Sequence, residues 1–60
     1  MNEKLLSITE ACEYLHVKES WLRRRIFERR IVFVKLGRLI RFKKSELDKL
    51  IRENTKNPVH

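Results

Sequence analysis

Ten cationic side chains crowd into one stretch of this sequence. Arg23, Arg24, Arg25, Arg29, Arg30, Lys35, Arg38, Arg41, Lys43 and Lys44 all lie between Trp21 and Lys44, and only Glu28 opposes them. That stretch carries +9, while the two flanks together carry −2 of the chain total of +7. A guanidinium can clamp a phosphate or read a guanine through O6 and N7, and an ammonium acts as a point charge toward phosphate. Solvated surfaces usually mix the two signs. A block of one sign fits a positive working surface, for which nucleic acid is the commonest partner.

Other chemistry finds no foothold. There is no Ser/His/Asp set, no glycine-rich phosphate loop and no cysteine pair, so neither catalysis nor a cofactor is expected. Cys12, His16 and His60 lack metal-ligand spacing. Glu46 and Asp48 stand two apart on a helix and point away from each other. Cys12 lies on an apolar stripe and reads as core. A single cysteine excludes an internal disulfide and fits a reducing cytoplasm. No apolar run approaches the roughly 18 residues of a membrane span, and Met1–Leu6 lacks the features of a signal peptide. A soluble, cytoplasmic protein without membrane contact is expected. Sixty residues allow one domain, which buries about 60% of its unfolded surface.

The elements that position the cations follow from periodicity. Ser7-Ile8-Thr9-Glu10 has capping-box spacing, and Ile8, Ala11, Cys12 and Leu15 make a helical stripe, so a first helix spans Ile8 to Leu15. Tyr14 is expected to be a partly buried packing residue on it. His16-Val17 forms a turn with Val17 buried. A second helix runs from Glu19 to Arg29 or Arg30, with Leu22 and Ile26 inward. At about 100° per residue, Ser20, Arg24 and Phe27 then face outward, flanked by Trp21, Arg23 and Glu28.

From Ile31 the period becomes two. Alternating runs on either side of Gly37-Arg38, the site of the only glycine, predict a β-hairpin with its tip there. Val34, Leu36, Ile40 and Phe42 are assigned to its core face, and Lys35, Arg41 and Lys43 to its outer face. A third helix spans Lys44 to Arg52 with the stripe Leu47, Leu50, Ile51. The ordered domain is placed at residues 1–53, with 54–60 as a disordered tail. The predicted fold class is α+β: a small winged helix-turn-helix with a two-stranded hairpin wing and a C-terminal helix.

A second helix joined by so short a turn can enter the DNA major groove. The candidate DNA-binding residues are Lys18, Ser20, Trp21, Arg23, Arg24 and Phe27 around that helix, and Lys35, Arg38, Arg41 and Lys43 on the hairpin. Arg38 suits a minor groove, and Lys35, Arg41 and Lys43 suit phosphates. Trp21 is open between a contact to sugar or thymine methyl and packing against the wing or first helix. Phe27 is open between DNA, a neighbouring protomer and the underside of the hairpin.

The pattern Leu6-Ser7-Ile8-Thr9-Glu10-Ala11, Tyr14-Leu15-x-Val17, Leu22-x-Arg24-x-Ile26 and Lys35-Leu36-Gly37-Arg38-x-Ile40-Arg41-Phe42-x-Lys44-Ser45-Glu46-Leu47 resembles the excisionase-type helix-turn-helix domain, a relative of MerR-type winged helices. The resemblance covers about Leu5 to Ile51. It implies double-stranded DNA as partner, with Arg24, Arg38 and Arg41 as contacts and Leu22, Ile26 and Leu47 as core. The role implied is that of an excisionase: binding and bending DNA near the end of an integrated mobile element, cooperatively with further copies, so that an integrase acts toward excision. A small phage- or plasmid-type transcriptional regulator of the same fold is the alternative, and an adaptor or structural-RNA binder a third reading. The chain departs from the family pattern at four positions. His16 and Arg29 stand where glycine is usual, Lys18 where a serine caps the second helix, and Trp21 where a small hydroxyl residue is usual. Lys18 thereby gives up a cap and gains reach to a phosphate.

Overall fold

The computed structural model describes residues 3–56. The elements run β1 (Leu5–Leu6), α1 (Ile8–Leu15), α2 (Glu19–Phe27), β2 (Val34–Leu36), β3 (Leu39–Lys43) and α3 (Lys44–Asn54). This is an α+β winged helix-turn-helix. The sheet, however, is three-stranded and antiparallel in the order β1-β3-β2, where a two-stranded wing was expected. Leu5 pairs with Lys43 and Leu6 with Phe42. Two residues are too few to display the alternation that betrays a strand.

Helix α1 begins as its sequence requires. The Ser7 Oγ accepts from the Glu10 amide at 3.1 Å, and the Glu10 carboxylate accepts from the Ser7 amide at 2.9 Å. That hydrogen bond to the Ser7 backbone lowers the Glu10 pKa below its usual range. At the other end His16 adopts the left-handed conformation, φ 60°, and the His16 and Val17 amides both donate to the Cys12 carbonyl. Helix α2 starts at Lys18 without a side-chain cap. It stops at Phe27, two or three residues earlier than expected, because Arg29 turns to φ 58°. Helix α3 continues to Asn54, two residues past the expected Arg52. Its first turn is held from outside: the Glu3 carboxylate accepts from the Ser45 amide at 2.5 Å and from the Ser45 hydroxyl at 3.0 Å. Residues 57–60 of the expected tail lie outside the described residues.

The core consists of Ala11 and Cys12 from α1, Leu22 from α2, Ile31, Phe42 from β3 and Leu47 from α3. Leu6, Ile8, Leu15, Val17, Ile26, Phe33, Ile40 and Leu50 pack around it. Ile51, assigned to the α3 stripe, is exposed.

The hairpin faces differ from expectation. Val34 pairs with Arg41, Lys35 with Ile40 and Leu36 with Leu39. Directly paired residues share a face, so Val34, Leu36, Leu39 and Arg41 lie together on one side and Lys35 and Ile40 on the other. Val34 and Leu36 therefore do not join Ile40 and Phe42; Phe33 takes their place against the core. Lys35 leaves the face it was to share with Arg41 and Lys43. The reason is parity. A two-residue turn pairs an even-numbered residue with an odd-numbered one, so the alternation changes register across Gly37-Arg38. Gly37 has φ 63° and is the first turn residue, as a type II′ turn requires. A Cβ there would meet nothing within 4 Å, so φ alone calls for glycine.

Candidate nucleic-acid interface

Helix α2 offers two flanks. Glu19 and Arg23, one turn apart, lie on the flank toward the wing. They line a shallow cleft with Ser7, Ile8 and Thr9 of the α1 start and Arg38, Leu39, Ile40 and Arg41 of the hairpin. Trp21 and Arg25 stand two positions either side of Arg23, about 200° around the helix, and occupy the opposite flank.

The cleft gathers three of the expected cations, Arg23, Arg38 and Arg41, from α2, the wing tip and β3. Arg23 Nε donates to Glu19 Oε2 at 2.6 Å. Arg41 is half-buried and donates to the Ile40 carbonyl at 2.8 Å, which ties its guanidinium back to the strand. Glu19 was missed from the sequence. The signal was available in its i,i+4 spacing to Arg23, but its place beside the wing was not.

The other candidates stand apart from this cleft. Arg24 is exposed as the helical wheel requires and pairs with Glu28 at 3.2 Å. Glu28 also meets Arg25 at 3.4 Å and Arg30 at 3.8 Å, so one carboxylate collects three guanidinium groups along the end of α2. The Arg25 guanidinium covers the Trp21 ring, 4.6 Å from its centroid, which leaves Trp21 partly exposed on the flank away from the wing. Lys18 and Ser20 are exposed at the start of α2. Phe27 is 87% exposed and does not fold under the hairpin. Lys35 and Lys43 are exposed on opposite faces of the sheet.

Outside the cleft, Tyr14, Asp48 and Lys44 form a locally neutral cluster. The Tyr14 hydroxyl donates to Asp48 Oδ1, Lys44 Nζ lies 3.1 Å from Asp48 Oδ2, and the same ammonium sits 5.1 Å from the Tyr14 ring centroid. Tyr14 is thus more exposed than expected, but it bridges α1 to α3. These contacts hold the Asp48 pKa below its usual range and raise that of Lys44, with the Tyr14 hydrogen bond the largest cause of each. Burial pushes the Cys12 thiol up, as suits a core residue. Among the described residues no cluster of His, Cys, Asp or Glu can hold a metal ion. No helix among them is long and apolar enough to cross a membrane.

Arginines from α2 and from the wing thus converge on one side of two short helices joined by a left-handed turn. The family model described as a helix-turn-helix domain matches residues 5–55, nearly the whole chain, a range that contains all six elements. No match to a curated protein or to a solved structure was found. The chain belongs to the helix-turn-helix domain family and is, as that membership implies, a DNA-binding protein.

Proposed function

We propose that this protein is an excisionase, which binds DNA near the end of an integrated mobile element and bends it so that an integrase assembles for excision. The observation that carries the reading is the cleft in which Arg23, Arg38 and Arg41 meet between α2 and the wing. A helix fits a major groove about 12 Å wide, and only a narrow tip fits a minor groove about 6 Å wide. With α2 in the major groove, the wing reaches the neighbouring minor groove, and the backbone between them crosses the arginine cleft. Arg24, Lys18, Ser20, Trp21 and Phe27 extend that contact along α2, and Lys43, on the Arg41 face, extends it along the sheet, whereas Lys35 lies on the opposite face. Grasping two adjacent grooves favours a bent duplex. Bending a 20–30 bp site by 40–90° costs roughly 1–6 kcal/mol, which several copies bound side by side offset.

The test combines a footprint on DNA flanking the protein's own gene with an excision assay that uses an integrase encoded on the same element. The expected result is protection of a site near the element's end and a rise in excised product when the protein is added. Protection of a promoter together with unchanged recombination products identifies a transcriptional regulator instead. Arg23→Ala and Arg38→Ala variants that both bind duplex as tightly as wild type overturn the assigned surface.

A further inference from the structure

Leu36 and Leu39 face each other across the hairpin as its last pair, with only Gly37 and Arg38 between them. Both are about half exposed, 51% and 53%, and neither packs against the core. Apolar pairs at an exposed hairpin tip are unusual, since turns favour Gly, Asn, Asp and Ser. Their face also carries Arg41, and Leu39 lines the arginine cleft. The pair is therefore continuous with the cationic cleft through Leu39.

Directly opposed strand residues stand about 4.5–5.5 Å apart at Cα, so a two-stranded ribbon with its side chains is too wide for a minor groove about 6 Å across. Only the turn residue can enter. With Arg38 inside, the flanking leucines rest on the lips of the groove. Those lips are deoxyribose rings, whose C–H groups are the least polar part of the backbone.

We propose that Leu36 and Leu39 form an apolar clamp that packs on the deoxyribose rings bordering the minor groove while Arg38 reaches in between them. The clamp rests on the DNA-binding reading above and adds to it a contact that measures groove width without using charge. A groove wider than the pair holds only one leucine, so narrow tracts are favoured even where no base edge is touched.

The experiment uses duplexes selected by the wild-type protein from a random pool. Hydroxyl radicals abstract deoxyribose hydrogens from the minor-groove side, so they report on the sugars concerned. Wild type is expected to protect sugars on both strands of one minor-groove segment per bound copy. The double variant Leu36→Thr/Leu39→Thr, which keeps strand-favouring side chains, is expected to reopen those sugars and bind roughly tenfold more weakly. Its dependence of log affinity on log salt stays that of wild type, whereas Arg38→Ala lowers the slope by about one phosphate contact.

Unprotected sugars around wild type overturn the clamp whether or not the variant folds. So does a folded double variant that binds and protects as wild type does, or one that loses only cooperativity between copies, which would assign the leucines to a copy–copy contact. A pool from which wild type selects nothing removes the DNA-binding reading as well; a selected site with unprotected sugars removes the clamp alone.

Discussion

His16 and Arg29 hold nearly the same backbone angle, φ 60° and φ 58°, at the two ends of the segment that carries α2. Each stands where relatives of the resembled pattern have glycine, and each ends a helix. The left-handed conformation brings Cβ against the following carbonyl at a cost of roughly 1–2 kcal/mol, less for histidine than for arginine. Glycine avoids that cost but gives back part of the gain through a more flexible unfolded chain. Arg29→Gly is expected to stabilise the domain by about 1 kcal/mol and His16→Gly by less. For a domain of this size 1 kcal/mol is a rise of roughly 4–8 °C in Tm. A fall in Tm for Arg29→Gly in a thermal melt contradicts this account.

Lys18 supplies no side-chain cap to α2. Lys18→Ser restores an acceptor for the free amides of the first turn and is expected to add about 1 kcal/mol of stability. It also removes a cation from the start of the helix nearest DNA. The same variant should therefore melt higher yet bind with a shallower salt dependence, by about one phosphate contact. Calorimetry and salt titration read the two effects separately, and an unchanged salt slope removes Lys18 from the interface.

Glu19 shares the cleft with Arg23, and its carboxylate is held by Arg23 Nε at 2.6 Å. A carboxylate at the first residue of α2 suits a cytosine N4 amino group, whereas a carboxamide suits adenine N6 and N7. Glu19→Gln is expected to change base preference at one position of the selected site, by roughly 1–3 kcal/mol. Repeating the selection with the variant checks this. Uniformly tighter binding to every duplex, with the same preferred sequence, would show that Glu19 acts only by repelling phosphate.

Asp48 titrates low because Tyr14 and Lys44 bond its charged form. A carboxyl with a depressed pKa contributes stability that is fully present above its unfolded value and is lost as pH falls through its folded one. Acid unfolding below about pH 4 therefore includes a share from Asp48. In Tyr14→Phe the Asp48 midpoint rises toward the ordinary range and that share shrinks. Lys44, raised by the same hydroxyl, moves down toward its ordinary value; its support, present below its unfolded pKa and lost as pH rises through its folded one, shrinks as well. Carboxyl-carbon NMR titration of Asp48 measures the shift, and an identical midpoint in both proteins would dismiss the role given to Tyr14.

Local signals in the sequence were enough for α1, because a capping box and an apolar stripe act within a few residues. They were enough for the hairpin tip, since Gly37 is the only glycine and the turn needs positive φ. They also placed Leu22 inward and Arg24 outward, since both follow from one helical period. The family and its DNA binding were legible in the order of these pieces. What the sequence left open depends on pairings between distant residues. The two-residue turn exchanged Val34 and Leu36 for Phe33 on the core face, an outcome set by the register with β3. The third strand arose because Leu5 and Leu6 found the free edge of β3. The left-handed angle at Arg29 cut α2 short against its own helical pattern. Packing of α2 beside the wing then turned Arg23 and Glu19, rather than Arg24, toward Arg38 and Arg41. A linear run of arginines fixes how much positive charge the domain carries, and only the packed fold determines which guanidinium groups converge.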